Sequence, residues 1–309
     1  MTRSILRTNI MTDYDFCLAW NWEHDTDFVT MLANAVRHRG ITMLQVTPAN
    51  IAHILQATQE NTIAFRAFFD RASDYDLRFV PLGQWVRSHG AYCINPYDQA
   101  AHSGDKAAMH LALIGNGIHT PYTIIIPPYK EHPELPTMDL SPLGKSFTIK
   151  PAHGGGGEGV ITNVTSLSEI TKARQKYPAD KYLLQAHIVP KQIGSRRAWY
   201  RIIYCAGKIY LSWWDTRTFI YTPVTIEEVE KYNLAPLYDI TVTLARICRL
   251  ELFSTEIALT ADNLYICVDY VNDQIDLRLQ SKTRDGVPDN VVRDIAGRLT
   301  ALVADRCRL

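Results

Sequence analysis

The stretch KPAHGGGGEGV, residues 150–160, sets five glycines into six consecutive positions behind a Lys-Pro pair. Glycine loses more backbone freedom on folding than any other residue, so the run carries an entropic cost. A ligand that needs bare backbone close by would offset that cost, and phosphate oxygens under backbone N–H groups are the leading case. Lys150, ahead of the run, supplies a compact positive charge for such phosphates. Farther on, Glu256 lies in FSTEIAL and Asp269 in YICVDYVN, stretches otherwise rich in apolar and hydroxyl residues. A carboxylate in such a strand is costly unless it is paired or metal-bound. Arg201, in WYRII, presents a planar fork suited to phosphate or carboxylate.

Gly154, Gly156 and Gly159 satisfy the dinucleotide fingerprint GxGxxG, but the fingerprint requires a helix directly after the glycines. ITNVT follows instead, β-branched and alternating, so the loop joins two strands. A Walker loop would end in Gly-Lys-Ser/Thr, and Glu-Gly-Val stands there. A flap between strands also covers ATP in protein kinases, yet the chain holds no HRD or DFG triplet. The plain alternative is a mobile surface hairpin.

The elements that must carry these groups change character along the chain. YDFCLAW, ITMLQV, IAFRAFF and AYCI read as strands. Between them lie helices: one from about Asp27 to Gly40, one capped by Thr47 with Pro48 in its first turn, and one from about Phe79 to His89. That alternation predicts a parallel sheet with crossover helices, ending near Pro96. Asp98 to Ile114 predicts one continuous helix, followed by the strand YTIII and a proline-rich surface connection. SFTIK and GVITNV flank the glycine run. Ser166 and Glu169 make a capping box for the next helix, and KYLLQAHIV returns as a strand. Two hairpins turning at Ala206-Gly207 and Asp262-Asn263, a helix over Leu237–Arg249 and a terminal helix from about Pro288 complete an antiparallel α+β pattern.

Four blocks in this order resemble the ATP-grasp superfamily, in particular carboxylate–amine ligases of the RimK and glutathione-synthetase type. They are NPYDQAAHSGDKAAMHLALIGNGIHTPYT; FTIKPAHGGGGEGV; YLLQAHIV followed by WYRIIYCAGKIY; and STEIALTADNLYICVDYVND. The resemblance implies an α/β and α+β chain. A Rossmann-like parallel-sheet domain (1–97) would precede a linker helix and small lobe with the flap (98–190) and a large lobe with the metal and substrate site (191–309). The two lobes would clasp ATP.

It also implies roles. Lys106 and Lys150 would hold the phosphates, under a flap of Gly154, Gly155, Gly156, Gly157, Glu158 and Gly159. Gln185, Ala186, His187 and Ile188 would lie beside adenine. Glu256, Asp269 and Asn272 would hold Mg²⁺, with Mn²⁺ an admissible substitute. Arg201 and Lys150 would act on the transferred phosphoryl group. Two departures stand out. The family shows acid-x-Asn, whereas Asp269-Tyr-Val-Asn272 carries one more residue, which changes the strand face unless a bulge restores it or Asp273 or Asp276 serves instead. An acid also normally stands two residues before the arginine, and Trp199 occupies that place. Arg217 and Arg278 are either grips for an anionic substrate or solvated arginines; Arg71, at a strand end of the front sheet, sits where open sheets place ligands.

The implied activity is ATP-dependent formation of an amide or peptide bond through an acyl phosphate, from a small carboxylic acid and an amine. A kinase acting on a small acceptor and a non-catalytic nucleotide-binding module are the rival readings. Composition narrows the partners. Lys plus Arg equals Asp plus Glu at 32 each, which leaves no global field to draw nucleic acid or an acidic membrane. No apolar run is long enough to span a bilayer. Six scattered cysteines without a CxxC pair read as reduced thiols of a cytoplasmic protein, and a homodimer is compatible with the sequence.

Overall fold

The computed structural model describes residues 12–308. They form two compact units: one holds the chain up to Tyr97, Asp276–Thr283 and the segment from Asp289 onward, the other Asp98–Ile275 and Arg284–Pro288.

The first unit is built on β1 (Thr12–Trp20), α1 (Thr26–His38), β2 (Met43–Val46), α2 (Ile51–Gln59), β3 (Ile63–Arg71), α3 (Val80–Ser88) and β4 (Tyr92–Ile94). The strands make a parallel sheet in the order β2-β1-β3-β4. The central strands are near-continuous apolar runs because helices cover a parallel sheet; Phe16, Cys17, Leu18 and Ala19 of β1 are fully buried. The second helix starts later than the Thr47 cap suggested. Asn50 takes up the Thr47 N–H through its side chain, and Pro48 lies in that turn, ahead of Ile51.

The second unit opens with α4 (Tyr97–Gly104) and α5 (Lys106–Gly115), where one continuous helix was expected. Asp105 breaks it: its extended backbone makes it an N-cap whose carboxylate accepts from the Ala107 and Ala108 N–H groups. Then come β5 (Thr123–Ile126), β6 (Phe147–Pro151), β7 (Ile161–Val164), α6 (Leu167–Arg174) and β8 (Tyr182–Ala186). The strands form an antiparallel sheet in the order β5-β8-β6-β7, so the glycine run joins neighbouring strands as the sequence indicated. The Ser166–Glu169 capping box is present on α6.

A short hairpin of β9 (Gln192–Ile193) and β10 (Arg196–Arg197) leads to β11 (Trp199–Cys205), β12 (Lys208–Asp215), β13 (Ile220–Pro223), α7 (Ile226–Lys231), α8 (Pro236–Cys248), β14 (Leu252–Leu259) and β15 (Tyr265–Asn272). The five long strands form a second antiparallel sheet, β13-β12-β11-β14-β15. One face of it, with Tyr200, Ile202, Leu211, Trp213, Ile257 and Cys267, joins the core shared with α5 and α8. The opposite face is the one that carries the polar residues discussed below.

The terminal helix α9 (Asp289–Cys307) packs on α1, β1 and β3 of the first unit. The sequence alone groups this helix with residues 191–309. Its apolar stripe, Val292, Ile295, Ala296, Leu299 and Val303, is buried there, and nothing local in the sequence says which sheet a terminal helix covers. No helix among the described residues is long and apolar enough to cross a membrane.

Candidate active site

A cavity of about 330 Å³ lies in the second unit, lined by Lys106, Lys150, the flap residues 154–158, Gln185 to Ile188, Trp199, Asp269 and Asn272. The fold brings them together from two sheets and a helix start. Lys150, near the end of β6, is 8% exposed. Its ammonium donates to the Val268 carbonyl at 3.3 Å and sits 5.2 Å from the centre of the Tyr270 ring. Burial pulls its pKa down, with the Asp269 charge opposing that and the Lys106 charge adding to it. Lys106, the first residue of α5, donates to the Gly154 carbonyl, while its backbone N–H reaches Ala152. The broken helix explains this placement. Asp105 pairs with Lys181 at 2.8 Å rather than with its neighbour, leaving Lys106 for the flap.

The flap is tied at its root. His153 bonds Asp180 through both its backbone N–H (2.9 Å) and its ring (2.8 Å), and Tyr177 donates its hydroxyl to Glu158. Gly154, Gly156, Gly157 and Gly159 all have positive φ, so a glycine-rich sequence is needed for the path as well as for access. Gly159 is the tightest position. A Cβ there would lie 2.8 Å from the Tyr177 ring and 3.0 Å from Pro151, whereas one on Gly155 would meet nothing within 4 Å. Gly159→Ala is therefore expected to free the flap root at a cost of about 1–3 kcal/mol of strain. Limited proteolysis should nick residues 153–160 faster in that variant and no faster in Gly155→Ala.

Gln185, on β8, donates to Thr123 Oγ1 at 3.0 Å and to the Tyr270 hydroxyl at 2.7 Å; His110 Nδ1 meets the same hydroxyl at 2.7 Å. This buried relay links the cavity wall to α5. Burial, reinforced by the Lys150 charge, lowers the His110 pKa to about 4 from an ordinary 6.5. The unfolded chain thus binds the proton that the folded chain refuses between those values, so stability is full above pH 6.5 and falls as pH drops toward 4. Urea midpoints measured at pH 7 and pH 5 should show this fall, and His110→Gln should reduce it.

The polar face of the five-stranded sheet supplies the rest. Register pairs Arg201 with Ser212 on one side and Glu256 on the other. Glu256 lies opposite Asp269, and Ser254 opposite Asn272, which leaves one extra residue on β15 between Asp269 and Asn272. That bulge answers the acid-x-x-Asn departure: it keeps Asp269 and Asn272 on the same face while Tyr270 turns into the core. A second irregularity follows at Val268, the residue whose carbonyl receives Lys150. Asn272 Nδ2 donates to Asp269 Oδ2 at 2.8 Å. Burial would raise the Asp269 pKa, but Lys150 and Arg201 hold it below the ordinary carboxylate value. Glu256 moves the other way, raised by burial and by the Asp269 charge despite Arg201.

Glu256 is more engaged than the sequence suggested. One oxygen accepts from Arg201, and the other accepts Trp199 Nε1–H at 2.8 Å. In the sequence Trp199 is only a departure from the family pattern, yet it lines the cavity and donates to Glu256. Its position two residues before Arg201, on the same strand face, was the signal available. Among the described residues no cluster of three or more His, Cys, Asp or Glu could hold a metal ion. The set on this face instead offers two neighbouring carboxylates and the Asn272 amide oxygen, the sparse oxygen donors that suit a Mg²⁺ sharing its shell with substrate phosphates. The residues fit that ion.

The remaining arginines divide. Arg71 is no substrate grip: it is 4% exposed and clamps Asp25 with two bonds of 2.6 and 2.7 Å, between the rings of Phe28 and Phe69. Arg278 pairs with Asp276 at 2.6 Å within the first unit, which occupies both that arginine and one of the alternative metal acids. Asp273 does not line the cavity. Arg217 is exposed on the β12–β13 turn, beside a different cavity.

No protein-family model and no curated protein matches the chain. Solved structures do. The chain is similar to D-alanine–D-alanine ligase from Bacillus anthracis complexed with ATP, with a TM-score of 0.65 and 11% identity over 95% of this chain and 97% of that one. It is also similar to a RimK domain protein ATP-grasp from Sphaerobacter thermophilus, at 0.61 and 18% over 93% and 99%. The ATP-grasp ligase PsnB, complexed with precursor peptide PsnA2 and AMPPNP, aligns at 0.60 and 13% over 96% and 99%. The chain has the ATP-grasp fold.

Proposed function

We propose that the protein is an ATP-dependent carboxylate–amine ligase. The observation that carries this reading is the convergence of Lys106, Lys150 and the glycine flap on one cavity whose far wall holds Asp269 and Asn272. The cavity would take ATP with its phosphates under the flap and its adenine beside Gln185–Ile188. Mg²⁺ held by Asp269, Asn272 and Glu256 would offset phosphate charge when bound.

In the proposed reaction a substrate carboxylate oxygen attacks the γ-phosphorus and ADP leaves. The amine then attacks the acyl carbon, loses a proton, and phosphate departs. The chain's part is positioning and charge. Lys106 and Lys150 meet the phosphate oxygens, Arg201 faces the phosphoryl and acyl groups as charge develops, and the flap excludes water from a hydrolysable intermediate. The proposed substrates are a small carboxylic acid and an amine. The precursor peptide in the PsnB complex makes a peptide-borne carboxylate a second class to test.

The test is incubation with MgATP and pooled acids, amines and peptides, with ADP and free phosphate counted together. Equal ADP and phosphate, with an adduct that needs both acid and amine, supports the ligase. ADP with a phosphorylated product and no free phosphate replaces it with a kinase. Nucleotide binding without turnover replaces it with a binding module.

A further inference from the structure

A second cavity, about 250 Å³, opens on the same sheet, lined by residues 195–197, Trp199, residues 213–218, Ile220 and Thr222. Trp199 lines both cavities, so the two adjoin at this residue. Beside it lie the groups that face developing charge. Arg201 lies 5.5 Å from the centre of the Trp214 ring, and Trp199 bonds Glu256, which Arg201 also holds.

The lining selects its ligand by charge and by shape. It contains three arginines and a single acid, Asp215. Arg196 is already spent, bonded to Glu228 at 3.0 Å and stacked 5.4 Å from the Trp213 ring. Arg197 and Arg217 are not spent. Arg197 is exposed, and no ion pair among the described residues engages it; Arg217 is 81% exposed, with Asp215 at 3.8 Å. Two cations at the rim call for an anion. The rings of Trp199 and Trp214, on the Arg201 face of the sheet, form the apolar part of the wall, which favours a flat, conjugated body; Trp213 turns its indole to the core face. The volume lies below the usual range for drug-sized ligands, about 300–1,000 Å³. It suits one ring rather than two.

Taking the ligase reading as its basis, we infer that this cavity is the acid-substrate site and that the acid is an aromatic carboxylate carrying a second anionic group. Arg197 and Arg217 grip the outer anion, the ring lies against the Trp199 and Trp214 side chains, and the reacting carboxylate points to the Trp199 end, where this cavity adjoins the nucleotide cavity. The inference names the acid; the nucleotide cavity is a separate claim.

The experiment is isothermal titration of the full chain with 4-carboxyphenylacetate, with glutarate and 4-methylphenylacetamide as comparators lacking the ring or the charges. Saturable one-to-one binding of the probe is expected, weakened about tenfold or more in Arg197→Ala/Arg217→Ala and weaker by a similar factor for both comparators. Both arginines are exposed, so the variant should fold. Absence of saturable binding, unchanged affinity in the double variant, or equal binding of glutarate would overturn the inference. MgADP titrated in parallel, with Lys150→Ala as control, separates the two claims. Lys150-dependent MgADP binding without probe binding sinks only the acid site, whereas probe binding without MgADP binding sinks the ligase reading and, with it, the assignment of this cavity to the acid substrate.

Discussion

Lys150→Ala is expected to lower turnover by about 10²-fold or more, the usual cost of removing a group that faces developing charge in a sequestered site. The argument starts from burial. Lys150 is 8% exposed and is held by the Val268 carbonyl and the face of Tyr270, with no carboxylate among the described residues in ion-pair contact with it. An ammonium kept in such a place loses hydration that only a nearby anion restores. Asp269 supplies part of that compensation through space, and phosphate would supply the rest. The variant should therefore lose nucleotide affinity as well as rate, and its circular dichroism should stay that of the parent. ADP release by the purified variant measures the rate. Release within a fewfold of the parent would remove Lys150 from the site.

Asp269→Asn should have an effect of similar size by a different route. The substitution keeps the shape and removes a cavity-lining carboxylate whose pKa Lys150 and Arg201 hold down. Glu256 alone should not make up the loss, because Arg201 and Trp199 each already take one of its oxygens as acceptor. Divalent-cation affinity should fall at least about tenfold and turnover about 10²-fold. A thermal melt gives a readout independent of turnover. Mg²⁺ added with ADP should raise the parent's midpoint beyond ADP alone by ligand linkage, and the variant should lose that increment. An increment equal to the parent's would mean that the ion binds elsewhere.

Much of this arrangement was legible in the sequence because it depends on local pattern. The parallel front sheet follows from strands alternating with helices, and the flap's place between strands follows from ITNVT after the glycines. Glu256 and Asp269 stood out as acids in apolar strands. What escaped was set by contacts distant in sequence. Asp105 reads as an ordinary helix residue until its pairing with Lys181 and its capping of α5 are seen. The bulges around Asp269 are invisible to a rule of strict alternation, since an extra residue leaves no local mark. Arg71 occupied the strand end where ligands bind in open sheets, but Asp25, 46 positions earlier, takes it into the core. The terminal helix has an apolar stripe that any sheet could cover.

The central claim is that a carboxylate takes the phosphoryl group before the amine arrives. A pool of carboxylic acids free of phosphate esters can be labelled with ¹⁸O in acidified heavy-oxygen water, then neutralised and transferred to ordinary water with amines, MgATP and the protein. Mass analysis of the released phosphate is the measurement. One ¹⁸O per phosphate, formed in step with ADP, is the result expected, because the attacking carboxylate oxygen leaves with the phosphoryl group. Unlabelled phosphate in the same amount would mean that water was the acceptor and would contradict the ligase account.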